Sequence, residues 1–129
     1  MRRVFPAIEG APAVCVIPLV YADGTGIAVT DIQHLYLTLW NAEVDESAGN
    51  ILADQDHVEV RNQNGGSVSD DGVLTWVASA AANVVRDPRK APGDTELHQF
   101  ELEVHVGSDV PFRLLYGLRV RKMQKGVAS

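Results

Sequence analysis

Four histidines, a single cysteine and two aspartate pairs are the residues of this 129-residue chain whose types could do chemistry. A metal centre needs several of them to converge. His98 and His105 are seven positions apart in one alternating segment, so they point to opposite sides of a strand, while His34 and His57 fall in other segments. Asp54 with Asp56 and Asp70 with Asp71 lack the twelve-residue ladder of oxygen ligands of a calcium loop, and turn capping is their expected work. Cys15 sits in an apolar stretch. As the only cysteine it allows no intrachain disulfide and no cysteine zinc site, which fits synthesis in a reducing cytoplasm, and it is expected to be a small core residue. No G-x-S-x-G elbow occurs, and "DGTGIAV" has G-x-G without the third glycine, helix or lysine of a phosphate cradle. The expectation is a chain that is not an enzyme and carries no cofactor and no metal.

The elements that must position these residues are strands. In "LHQFELEVHV", Phe100, Leu102, Val104 and Val106 alternate with Gln99, Glu101, Glu103 and His105, the period of a half-buried antiparallel strand. After the turn "GSDVP", "RLLYGLRVRK" resumes with Leu114, Tyr116, Leu118 and Val120 on one side and Arg113, Gly117, Arg119 and Arg121 on the other, predicting a hairpin. Further strands are predicted at "AVCVIPLVY", "HLYLTLW", "HVEVR" and "GVLTWVA". Gly-containing turns "ADGTG", "NQNGG" and "SDDG" separate them. Pro18 removes a ladder donor, so the first of these strands lies at a sheet edge or breaks there. "SAAANVV" is too short for a free-standing helix and predicts one turn crossing between sheets.

Six to eight short strands with almost no helix predict an all-β fold, an immunoglobulin-like antiparallel β-sandwich. Its expected core is Leu35, Leu37, Leu39, Trp76, Phe100, Leu102, Val104, Leu114, Tyr116 and Leu118, with Trp40 a second large core filler. The domain is expected to span residues 13–129, preceded by an extended N-terminal arm over 1–12. One core suits this length. With 46% hydrophobic and 22% charged residues the composition is that of a globular chain; no apolar run is long enough for a membrane helix, and the start is not read as a targeting segment.

The net charge of −6 argues against nucleic acid as a partner. Its distribution is uneven. Between Glu43 and Asp71 eight acidic residues face only Arg61, whereas Arg113, Arg119, Arg121, Lys122 and Lys125 close the chain without an acidic residue among them. Such a molecule is suited to docking by charge complementarity.

"DGVLTWVASAAANVVRDPRKAPGDTELHQFELEVHV" resembles small virion structural proteins of tailed bacteriophages. The pattern is a D-G-x-L-T-W strand, a small-residue turn with Asn, a D-P loop and T-E-x-H entering a strand. Asp71, Gly72, Leu74, Thr75, Trp76, Asn83, Asp87, Pro88, Thr95, Glu96 and His98 carry it. "YADGTGIAVTDIQHLYLTLW" is similar to the opening hairpin of immunoglobulin-like phage domains, and the likeness covers roughly residues 13–122. Where many relatives have an "EW" aromatic strand this chain has "FELEVHV".

The resemblance implies a virion structural protein made in the host cytoplasm. The leading expectation is a capsid decoration, or cement, protein on the outer shell, homo-oligomeric on the particle and touching the major capsid protein and neighbouring copies. A neck, connector or tail-associated subunit is the alternative, and a glycan-binding adhesin domain ranks last. The expected partner-binding residues are Val4, Phe5 and Ile8 of the arm, as apolar anchors, with Arg113, Arg119, Arg121 and Lys122 of the basic return strand. Neither nucleic acid nor membrane is expected to bind.

Overall fold

The computed structural model describes residues 3–21, 23–43, 51–107 and 110–123. Among them the chain runs through β1 (Val4–Ile8), β2 (Ala13–Pro18), β3 (Ile32–Asn41), β4 (Val58–Glu59), β5 (Gly66–Val68), β6 (Val73–Ala78), β7 (Thr95–Val106) and β8 (Phe112–Arg121). The fold is all-β with two sheets. One has the order β1-β8-β7-β3-β4, the other β2-β6-β5. Every neighbouring pair is antiparallel except β1 with β8, which run parallel with Val4 opposite Gly117 and Ile8 opposite Arg121.

Alternation decides which side of each strand is buried. Along β7 every second residue from Glu96 to Val106 is buried, and Leu114, Tyr116, Leu118 and Val120 of β8 share that side. All ten residues of the expected core are at most 5% exposed. At the centre Phe100 meets Trp76 from the other sheet at 4.9 Å between ring centroids and stacks beside Tyr116 at 5.4 Å. Burying aromatic area of this size at about 25 cal/mol per Å² supplies much of the drive to bring two sheets together. Cys15 is fully buried among these residues, and burial pushes its thiol up to about 12, offset in part by the charge of Arg3. It is a packing residue.

Two expectations are corrected. The first concerns the arm. Residues Val4–Ile8 form β1, a strand of the five-stranded sheet, because Phe5 and Ala7 alternate inward and find a place beside β8. Phe5 is buried against Phe100 (6.3 Å) and Tyr116 (6.2 Å), with the Arg3 guanidinium 4.6 Å above its ring. The segment is held by its own chain. The second concerns Trp40, which lies on the outward row of β3 between the inward Leu39 and Asn41 and is only half-buried.

Edges and turns follow from local chemistry. β2 has one neighbour and ends at Pro18, β1 carries Pro6, and β4 and β5 have two and three residues, so no long bare edge is offered for pairing. In β5, Gly66 passes so close to the Val60 carbonyl that any Cβ would collide with it. The connection after β6 crosses between sheets through one turn, with Ala82 N–H donating to the Ser79 carbonyl and Asn83 N–H to that of Ala80. The Asn83 side chain then donates to the Ala11 carbonyl at 2.7 Å, tying this crossing to the β1–β2 corner.

Candidate docking surface

The outward face of the five-stranded sheet holds most of the expected partner-binding residues, divided between two regions. At one corner β1 contributes Pro6 and Ile8, register partners of Arg119 and Arg121 on β8. All four are exposed. Together with Pro12 and Val14 at the start of β2 they line a groove of about 550 Å³. Ile8 is 49% and Val14 61% exposed, unusual for large apolar side chains. Arg119 donates to the Thr95 hydroxyl at 3.4 Å and its charge acts on the Glu43 carboxyl, but among the described residues neither Arg119 nor Arg121 has a carboxylate within ion-pair distance. The corner is therefore an apolar trough flanked by two guanidiniums with unspent hydrogen-bonding capacity.

Lys122 and Val4 fit this corner less well. The Lys122 ammonium donates to the Lys90 carbonyl at 2.7 Å, which fixes it against its own chain, although its stem borders a second depression with Ile8 and Arg121. Val4 is exposed at the other end of β1, opposite Gly117. Phe5, expected as an anchor for a partner, is unavailable because it is core.

Arg113 lies at the far end of β8 and belongs to the second region. Its guanidinium bridges Glu101 (3.3 Å) and Glu103 (3.2 Å) across the hairpin. Beside it the sheet gathers residues that the sequence scattered. Tyr36 of β3 stacks on His57 at 4.2 Å, lies 5.4 Å from His34 and meets His105 edge-on at 5.2 Å. Glu103 accepts hydrogen bonds from His105 (2.7 Å), His57 (3.0 Å) and Arg113, which hold its carboxyl down at about 2. Glu59 binds His34 Nδ1 and accepts the Leu35 N–H, both at 2.7 Å.

Sequence reasoning missed this cluster because it treated different strands as different places. The order β7-β3-β4 sets His105, Tyr36 and Glu59 in adjacent positions, and only knowledge of that order reveals it. Within the cluster the two carboxylates Glu59 and Glu103 take up hydrogen bonds from His34, His57, His105 and Arg113. Among the described residues no group of three or more His, Cys, Asp and Glu is arranged to hold a metal ion.

On the opposite side of β7 lies a buried polar pair. The Glu96 carboxylate accepts the Arg86 N–H (3.0 Å), the Asp87 N–H (2.9 Å) and His98 Nε2 (2.7 Å), and both side chains are fully buried. Burial pushes the His98 pKa down against the pull of Glu96, so Nε2–H is the donor and Nδ1 a bare acceptor. Nδ1 has no partner among the described residues, and neither has the amide nitrogen of its cross-strand neighbour Asn41. This pair anchors the crossing loop to β7 and is closed to solvent. The comparisons with known proteins add no relative: no protein-family model and no curated protein matches the chain.

Proposed function

We propose that the chain is a non-catalytic, immunoglobulin-like structural subunit of a tailed-phage virion, a decoration protein that docks on the outer capsid shell through the groove at the β1–β8 corner. The groove carries the reading: exposed Ile8, Pro6, Pro12 and Val14 beside Arg119 and Arg121 join apolar area to uncommitted positive charge. Interfaces combine these two ingredients, the first for affinity and the second for rate and register. The immunoglobulin-like part is supported by strand order. β2-β6-β5 correspond to B, E and D, β3-β7-β8 to C, F and G, and β4 lies beside C as in variable-type domains. The antibody hallmarks of a disulfide and a strand-C core tryptophan have no counterpart, and Trp76 with Phe100 fills that volume. The virion setting rests on the likeness carried by Asp71 to Trp76 and Thr95 to His98.

The test is binding of the purified protein to particles that lack it, with its copy number measured against the major capsid protein. Hundreds of copies per particle, with attachment weakened by R119E together with R121E and by added salt, is the expected result. Six or twelve copies would move the protein to the neck or tail. Binding by the double variant equal to that of the parent would remove the groove from the contact.

A further inference from the structure

The Asp70–Asp71 pair and the Arg119 and Arg121 pair lie toward opposite ends of the sandwich, although Glu9 and Asp94 also stand at the basic corner and Arg113 at the other end. Register fixes which loops share an end: Ile32 pairs with Val106, Val104 with Phe112 and Pro18 with Val73, so the β2–β3, β5–β6 and β7–β8 connections lie together, opposite the end where Ile8 meets Arg121. The described acidic residues of that first end are Asp23, Asp31, Asp70 and Asp71, and no described Lys or Arg lies in those three connections. Asp70 and Asp71 stand side by side and exposed on the turn that Ser69 and Gly72 close, without an ion-pair partner among the described residues. At the same end Val110 is 86% exposed, the barest large apolar side chain described. One end thus carries an adjacent carboxylate pair and an apolar knob. The opposite corner carries an apolar trough and two arginines, two residues apart on one strand face, so that their backbone positions are roughly 7 Å apart.

We infer that the groove receives a second copy of this chain, head to tail, with the Asp70–Asp71 turn of one copy against Arg119 and Arg121 of the next. This rests on the reading of the groove as the docking site but replaces the shell by a neighbouring copy as its occupant. Both halves of the match are on the same molecule, so every copy both offers a tip and accepts one, and the contact is heterologous: it closes into a ring or continues as a stack. A foreign partner in the groove would explain only Arg119 and Arg121. A copy of the chain accounts for both the bare basic pair and the bare acidic pair, and arginine favours carboxylate partners because its planar fork can hold them in pairs.

Sedimentation velocity over a concentration series tests this. At about 0.01 M salt, where screening extends over roughly 30 Å, the wild-type chain is expected to form a concentration-dependent series above the monomer, and at about 1 M salt to return to monomer. R119E/R121E alone and D70R/D71R alone should each be monomeric, because tip and groove then carry like charge. Their equimolar mixture should associate again, since each variant's tip now complements the other's groove. That restoration also shows that both variants are folded. A wild-type chain that stays monomeric at low salt, single-end variants that associate as the parent does, or a mixture that stays monomeric while the parent associates would each overturn the contact. The two readings separate in the particle assay. If D70R/D71R binds particles normally while R119E/R121E does not, and the parent does not self-associate, the groove docks on the shell and the copy-to-copy contact fails alone.

Discussion

Strand β7 carries the same two-residue spacing of glutamate and histidine twice, once on each face. Glu96 and His98 meet at 2.7 Å with no exposure, and Glu103 and His105 meet at the same 2.7 Å with 17% and 28% of their side chains in solvent. The geometry is equal and the consequences are not. Inside, Glu96 is fed by two backbone N–H groups and by His98, so each partner is the other's substitute for water, and loss of one strands the rest. Outside, Glu103 has three cationic or hydrogen-bonding neighbours, yet water can replace any of them. A short distance therefore says little about what a contact contributes until its burial is known.

The sharpest way to break this comparison is Glu96→Ala, which leaves His98 and the Arg86 and Asp87 N–H groups without an acceptor. With about 1–3 kcal/mol for each buried donor left unsatisfied, it is expected to be the most destabilising of these substitutions in urea unfolding. A loss below about 1 kcal/mol would show that the buried pair is held no more tightly than its exposed twin. Leu102→Ala, between the two pairs on the buried side, should cost about 2–5 kcal/mol by transfer and cavity terms, and an unchanged thermal midpoint would contradict its placement.

Acid should separate the pairs by pH window. The folded His98 pKa lies below its ordinary 6.5, so the unfolded chain takes up the proton first: the contribution is complete above about pH 6.5 and falls away as the pH drops below it. Glu103, lowered from 4.5 to about 2, contributes above about pH 4.5 and loses its part between there and pH 2. A His98→Gln variant should lose the upper part of the acid slope and keep the lower, as read from unfolding midpoints at a series of pH values. The smallest effect belongs to Glu103→Ala. It should cost about 0.2–1 kcal/mol per lost pair and shrink with salt, and a cost equal to that of Glu96→Ala would erase the contrast.

What the sequence made legible is what alternation encodes. The period of two in β7 and β8 gave the hairpin with its inward and outward rows, and Pro18 marked the end of an edge strand. What it hid depends on neighbours far along the chain. β1 is five residues whose alternation was too short to read, and it becomes a strand only because β8 lies alongside. Trp40 has the composition of a core residue, but its parity within β3 turns it outward. The Tyr36 cluster needed the sheet order, and the groove at Arg119 and Arg121 needed Ile8 and Val14 to be brought beside them. Charge asymmetry was visible in the sequence, but the placement of Asp70 and Asp71 toward one end and of Arg119 and Arg121 toward the other was not.

The parallel pairing of β1 with β8 also sets an order of events. Val4 and Gly117 are neighbours in the sheet although almost the whole described chain separates them, so their pairing is among the contacts with the largest loop-closure entropy. During synthesis Val4–Ile8 precedes every other described strand, and its partner Phe112–Arg121 follows all of them. Until then Phe5 has no Tyr116 to cover and the groove has no Arg119 or Arg121, so the surface proposed for docking comes into being only as the sheet closes. In the proposed docking, competence to assemble is in this way coupled to completion of the fold: a chain stalled before β8 lacks both arginines of the groove.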